Sequence, residues 1–413
     1  MGRVRGTIKE APEDFKVEEI TSTGVALEIG RKYTPEELGF SEARDGSFSM
    51  IVLQKRNWNT TQALKAVANS VGRGPRSAGF AGTKDRVSES VQLATIFGAE
   101  PAALMGINIK DIAINGAWKC DRKISMGELV GNRFAIRICG GDAGELGDLA
   151  SSLGGSFPNY FGKQRFGTRG NNHVIGIDML KGDFESAVMR FLAEPGGETN
   201  ADARSAREKL GKSYDFADAL SYFPKHLKYE RSLINYLAVH DSDWLGAIRS
   251  LPRPLSLMFV HSVENAIFNA EVTERMMSGR ASPEHEDIVC APDTARFFDL
   301  KNVSSGHERP EGIVMLNILG YMTERITEFE KKSMDELGIE PADFKVRGMR
   351  ELGCKGSVRV MMSPYREFSV SQEDGAAVVR FSLPAGSYAT VMLSQIVDYE
   401  GGELIYTFTE KHI

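Results

Sequence analysis

Apolar and polar residues alternate most clearly near the two ends of the chain. Met50 to Lys55, Val91 to Phe97, Arg133 to Ile138, Val358 to Met362, Val378 to Leu383 and Leu404 to Phe408 carry this period of two and are expected to be strands. Lys16 to Ile20 reads the same way and follows the turn Pro12-Glu-Asp-Phe15. A helical period begins at Asn59-Thr60-Thr61, where Leu64, Val67, Ala68 and Val71 share one face and Asn or Thr supplies an N-cap oxygen. Asp142 to Leu153 and Asn317 to Leu337 also read as helices. From about Gly170 to Val346 the helical pattern dominates, punctuated at Pro195-Gly-Gly, Pro252-Arg-Pro and Pro283. The pattern predicts an α+β protein whose sheet-rich domain, formed by 1–169 and 347–413, is interrupted by a helix-rich domain at 170–346. There is no internal repeat and no low-complexity segment.

Composition narrows the function classes. With 413 residues and 42% hydrophobic content, the chain can bury a substantial core and divide into two domains. It has no apolar run of membrane-spanning length, and Met-Gly-Arg-Val-Arg-Gly does not begin a signal peptide, so a cytoplasmic protein without a membrane partner is expected. Cys120, Cys139, Cys290 and Cys354 are far apart and form no CxxC pair, which suits reduced thiols. His285 has no second histidine at helical spacing, and no metal or other cofactor is expected. Neither Gly72-Arg-Gly nor Gly79-Phe-Ala-Gly continues to GK[ST] or follows a strand in a βαβ unit, which excludes a P-loop and a Rossmann site.

The net charge of −6 conceals a division along the chain. Lys55 to Arg86 holds seven basic residues and one acid, and Lys345 to Arg366 holds six and one. Between Glu271 and Asp343 there are sixteen acids and eight bases. Such asymmetry points to a local basic surface for a polyanion, carried by the first and last parts of the chain.

Three segments carry candidate chemistry. Ala78-Gly-Phe-Ala-Gly-Thr-Lys-Asp-Arg86 places the carboxylate of Asp85 between two cations in a turn that Gly79 and Gly82 allow to approach a ligand. The flanking charge favours an ionised Asp85, fit for a nucleophile or an electrostatic stabiliser; a solvated surface turn is the plainer alternative. Pro158-Asn-Tyr-Phe-Gly-Lys-Gln-Arg-Phe-Gly167 interleaves aromatics, cations and amides, a mixture suited to an unpaired nucleotide or to a loop tucked onto a core. Leu383-Pro-Ala-Gly-Ser-Tyr-Ala-Thr390 presents Tyr388 at a tight turn or a packed strand-to-helix corner.

Taken together and in order, these segments resemble the TruD family of pseudouridine synthases, which convert a uridine of tRNA (position 13) to pseudouridine. The matching stretches are PEDFKVEEI at Pro12–Ile20, KRNWNTTQAL at Lys55–Leu64, GFAGTKDR at Gly79–Arg86 with Gln92, GNRFAIRI at Gly131–Ile138, NYFGKQRFG at Asn159–Gly167 and LPAGSYAT at Leu383–Thr390. A weaker match runs from Met258 to Asn269. The resemblance implies a catalytic domain with a mixed, largely antiparallel sheet and flanking helices, interrupted by an inserted family-specific domain. It implies Asp85 as nucleophile, base contacts from Phe15, Asn159 and Tyr388, and Phe161 in the same pocket. Val87-Ser-Glu-Ser90 departs from the family's usual residues after the Lys-Asp-Arg, and Tyr388 stands where Phe also occurs.

That role makes chemical sense. The isomerisation breaks the N1–C1′ bond, turns the uracil over and rebonds it through C5, with no redox change or phosphate hydrolysis. A carboxylate beside C1′ can stabilise oxocarbenium-like charge or bond to it; attack on C6 and removal of a sugar proton are the other routes open to Asp85. Aromatic walls would hold the extruded base while Asn159 pairs with its edge. Lys55, Arg56, Lys84, Arg86, Lys163 and Arg165 are the expected phosphate contacts, and tRNA is the expected partner, with no protein partner implied. A non-catalytic RNA-binding protein could use the same basic, aromatic surface. It would have no need of an acid at 85, where negative charge opposes phosphate. A small-molecule lyase would not need several basic clusters.

Overall fold

The computed structural model describes residues 2–285, 287–290, 303–304 and 312–399; the expected strand Leu404 to Phe408 lies outside them. The chain divides into two compact units, one formed by 1–159, 290–303 and 362–402, the other by 160–289, 304–361 and 403–413. The aromatic and cationic loop after Asn159 thus belongs to the second unit.

The first unit is built on an eight-stranded sheet. Its strands are β1 (Phe15–Thr21), β2 (Phe48–Arg56), β3 (Ala78–Phe80), β4 (Glu89–Phe97), β5 (Ile112–Cys120), β6 (Leu129–Cys139), β7 (Arg366–Glu373) and β8 (Ala376–Pro384). Hydrogen-bonded neighbours run β7-β8-β6-β1-β4-β2-β5, with β3 also paired to β4. Only the β1–β4 pairing is parallel, so the sheet is mixed and largely antiparallel. Its centre is covered on both faces. Met50, Val52, Val91 and Leu93 pack with Leu27, Leu38 and Trp118. Ile51, Leu53, Ala94 and Ile96 pack with Ala63, Leu64, Val67 and Ala68 of the helix Thr60–Ser70. Two-sided burial leaves β4 buried nearly throughout, although Glu89, Ser90, Gln92 and Thr95 alternate with apolar residues along it. The helix begins at Asn59, whose side chain accepts a hydrogen bond from the Gln62 N–H at 2.8 Å. The helix Ala143–Ser152 is capped by Asp142 in the same manner.

The pairing explains why motifs far apart in sequence belong together. Phe15 lies opposite Ile136 and Glu18 opposite Arg133 across β1 and β6. Gly131 and Asn132 lie opposite Pro384 and Leu383 across β6 and β8. Five of the six matched stretches, all but Asn159–Gly167, thus place residues in strands of one sheet.

The second unit has a helical core that includes Ile175, Met179, Leu192, Leu233, Phe259, Val263 and Phe344. Its spine is the long helix Arg253–Met277, packed against the helix Asn172–Lys181. Gly176 permits that contact, because a Cβ there would meet the Phe259 carbonyl oxygen at 2.1 Å. The expected helix over Asn317–Leu337 is in fact two elements. Ile313–Ile318 is a buried strand paired with Ser357–Val360, and the helix spans only Glu328–Leu337. A buried apolar run has no polar face to reveal its period. Thr327 and Glu330 close a capping box that starts the helix. Among the described residues, no helix is long and apolar enough to cross a membrane.

Candidate active site

The loop joining β3 to β4 carries Asp85, and the sheet has a gap beside it. One edge of β4 is shared: β1 pairs with Glu89–Val91 and β3 with Ala94–Ile96. The Leu93 N–H falls between these pairings and donates instead to Glu19 Oε1 of β1 at 3.0 Å. Glu19 Oε2 accepts from the Lys84 ammonium at 2.9 Å, and both side chains are buried. The ion pair thereby fastens the loop to β1 from inside. Further bonds hold it from the helix side: the Lys84 N–H donates to Thr60 Oγ1 (2.9 Å), Thr60 donates to Gln92 Oε1 (2.8 Å), and Gln92 Nε2 donates to the Gly82 carbonyl (3.0 Å). The Asp85 carbonyl accepts from Lys55 Nζ at 3.0 Å and from Ser88 Oγ at 2.7 Å.

With its main chain fixed, Asp85 presents a carboxylate that is 42% exposed. Its cation is neither sequence neighbour. Lys84 faces Glu19, Arg86 is exposed, and Lys9 approaches Asp85 Oδ2 at 2.9 Å. Lys9 has a left-handed backbone (φ 59°), and its ammonium lies 4.0 Å from the centre of the Phe15 ring. Sequence reasoning missed Lys9, because only the fold brings it to position 85. Burial pushes the Lys55 amine down to about 8; the Lys84 charge adds to that shift and Asp85 opposes it.

Two expectations need correction. Lys55 and Lys84, expected at phosphates, are buried within the loop's support. A buried ammonium engaged this way cannot also reach a solvated polyanion. Gly79, expected to admit a ligand, instead admits protein: a Cβ there would meet the Ile124 carbonyl oxygen at 2.6 Å and Thr95 Oγ1 at 2.7 Å.

The other site residues are placed as follows. Phe15 is buried and meets Phe134 edge-on at 6.1 Å. Asn159 is buried. Tyr388 is half-buried at the N-cap of the helix Ala389–Ile396, a strand-to-helix corner where Ser387 and Ser363 share a hydrogen bond of 2.7 Å. Arg56 is exposed and paired with Glu13 and Asp111. In the second unit, Asn269 of the long helix clamps the main chain of Phe161. It accepts from the Phe161 N–H at 2.8 Å and donates to the Phe161 carbonyl at 2.9 Å. The Phe161 ring meets Phe268 edge-on and lies under the Arg359 guanidinium at 4.3 Å. The weak sequence match over Met258–Asn269 thus supports the aromatic loop. Lys163 and Arg165 fall in a short 3₁₀ turn, half-buried and exposed respectively.

Comparison with known proteins agrees with this architecture. Residues 1–396 match the family model described as "tRNA pseudouridine synthase D (TruD)". The chain is 33% identical over 397 residues to a protein of Methanococcus maripaludis (strain C5) named "Probable tRNA pseudouridine synthase D", covering 95% of each. A protein of the same name from Thermococcus sibiricus is 31% identical, again over 95% of each chain. The crystal structure of a Methanosarcina mazei protein described as TruD superposes with a TM-score of 0.72 at 26% identity, covering 96% of this chain and 94% of that one.

Proposed function

Because this chain belongs to the TruD family of tRNA pseudouridine synthases, enzymes that isomerise uridine in tRNA, we propose that its target is the uridine at position 13 and that Asp85 performs the chemistry. The carrying observation is the contrast within one loop. Its main chain is tied down by buried bonds, while the Asp85 carboxylate remains 42% exposed and holds a lysine from a distant segment. A preorganised charge of this kind stabilises positive character as it develops. As the N1–C1′ bond breaks, positive charge grows on the ribose, and a carboxylate at C1′ can shield it or bond to it. The same carboxylate could attack C6 or take a sugar proton, and on each route the Lys9 ammonium stands 2.9 Å from its Oδ2. The product gains a proton at N1 and loses one from C5, so the sum is an isomerisation.

The base contacts are proposals of the same kind. Tyr388 offers a half-buried ring, and Phe161 has a clamped main chain and a ring packed against Phe268 and Arg359. Asn159 brings an amide suited to a uracil edge. Phe15 acts behind Lys9, its ring steadying the ammonium that faces Asp85. Arg56, Arg86, Lys163 and Arg165 remain the proposed phosphate contacts, on tRNA in the cytoplasm. The test is incubation with unmodified tRNA transcripts followed by carbodiimide mapping. One new pseudouridine at position 13 is expected, and none with Asp85→Asn. Modification elsewhere overturns the target, and modification by Asp85→Asn overturns the residue.

A further inference from the structure

The second unit contains a cluster that the isomerisation does not use. His261 and Glu264 lie one turn apart on the long helix, and Cys354 follows the short 3₁₀ turn Arg350–Leu352. One ligand atom from each falls within 4.8 Å of the others. His261 Nδ1 is 2.6 Å from Glu264 Oε1 and 3.6 Å from Cys354 Sγ. Glu264 is 4% exposed, and its second oxygen, Oε2, has no hydrogen-bond partner. Leaving a carboxylate oxygen buried without a geometric hydrogen bond is costly, and a cation seated there would satisfy it.

We propose that His261, Glu264 and Cys354 form a site for one late first-row divalent cation, with zinc the ion that suits this donor set. Zinc takes sulfur at about 2.3 Å, nitrogen at about 2.0–2.1 Å and carboxylate oxygen at about 2.0–2.2 Å. Ligand atoms around such a tetrahedron stand roughly 3.3–3.7 Å apart; the Nδ1–Sγ separation of 3.6 Å already meets this, and the 2.6 Å contact of Nδ1 with Glu264 Oε1 opens as the ion enters. Glu264 Oε2 is the oxygen offered to the ion. Half-exposed His261 leaves a fourth position open to water. The Cys354 main chain is held by its N–H donating to the Phe344 carbonyl at 2.9 Å, and the thiol lies 3.6 Å from the Leu352 carbonyl.

A thiol gives up its proton when it ligates a metal. Binding forms an S–metal bond and releases that proton to solvent. The ion would also take over from Arg165, whose charge acts on Glu264. Its effect would be to clip the loop bearing Arg350 and Lys355 to the helix whose Asn269 clamps Phe161. Sequence spacing could not show this site, because the cysteine lies far along the chain from the His-x-x-Glu pair.

The test is titration of chelator-stripped protein with Co²⁺ as the probe. One equivalent should produce a near-ultraviolet thiolate-to-cobalt band and visible bands of tetrahedral intensity. Cys354→Ser should abolish the thiolate band, whereas Cys139→Ser should keep it. His261→Gln alters a half-exposed side chain, so its fold should survive, and it should weaken binding at least tenfold. No thiolate band at one equivalent, or undiminished binding in folded His261→Gln, overturns the proposal.

Discussion

The Asp85 carboxylate stands 2.9 Å from the Lys9 ammonium at an exposed position, so one substitution separates its charge from its shape. Asp85→Asn keeps the shape; turnover on tRNA should fall to about a hundredth of wild type or less. Gel-shift affinity should stay within a few-fold, since phosphate contacts dominate it. Residual turnover well above that level would remove Asp85 from the chemistry. Lys84, next to it in sequence, should behave differently. Lys84→Met leaves Glu19 buried without its cation, a change that typically costs about 3–5 kcal/mol. Urea unfolding should show that loss, and adding Glu19→Gln should recover part of it, because the Gln carbonyl can still accept from Leu93. The residue type at 85 was legible as chemistry from its setting. Its partner was not, because Lys9 reaches it only through the β1–β4 pairing and the turn before Phe15.

At the scale of elements, legibility followed burial. The helix Thr60–Ser70 has one apolar face and a capping asparagine, and both signals stand in the sequence. The Ile313–Ile318 strand is buried and shows neither. The contact between the long helix and the helix Glu328–Leu337 holds a feature no pattern reveals: the carboxyls of Glu271 and Glu330 share a buried site. Burial, reinforced by the Glu330 charge, pushes Glu271 from an ordinary 4.5 up to about 8. Glu330 is shifted the same way. A carboxyl raised in the folded state binds its proton more tightly there than in the unfolded chain. Its contribution is therefore complete below pH 4.5 and is lost as pH rises towards 8. Glu271→Gln removes that titration. The variant should gain stability relative to wild type between pH 5 and 8, at up to about 1.4 kcal/mol per pH unit. Urea midpoints at both ends of that window give the comparison, and a difference independent of pH would contradict the shared site.

For the whole molecule, the question is which charges meet RNA. Two basic runs, at Lys55–Arg86 and Lys345–Arg366, and one acidic stretch are legible along the chain, but their pattern does not distinguish a solvated cation from a buried one. In the first run the fold removes Lys55 and Lys84 from the surface and leaves Arg56, Lys65, Arg73, Arg76 and Arg86 exposed. In the second, Lys345, Arg347, Arg350, Lys355 and Arg366 are exposed. Polyanion binding releases counterions, so log affinity falls with log salt at a slope of about 0.7 to 0.9 per phosphate contacted. Replacing Arg56 and Arg86 together by Gln should therefore lower the slope by about one to two. Lys331 and Lys332 are equally exposed but lie in the acidic stretch, and Lys332 is near Glu336. Replacing both by Gln should leave the slope unchanged while altering net charge by the same amount, which controls for the bulk field. The measurement is a tRNA titration at several salt concentrations for wild type and the two variants. If the Lys331/Lys332 variant changes the slope and the Arg56/Arg86 variant does not, the RNA-binding surface lies elsewhere on the molecule.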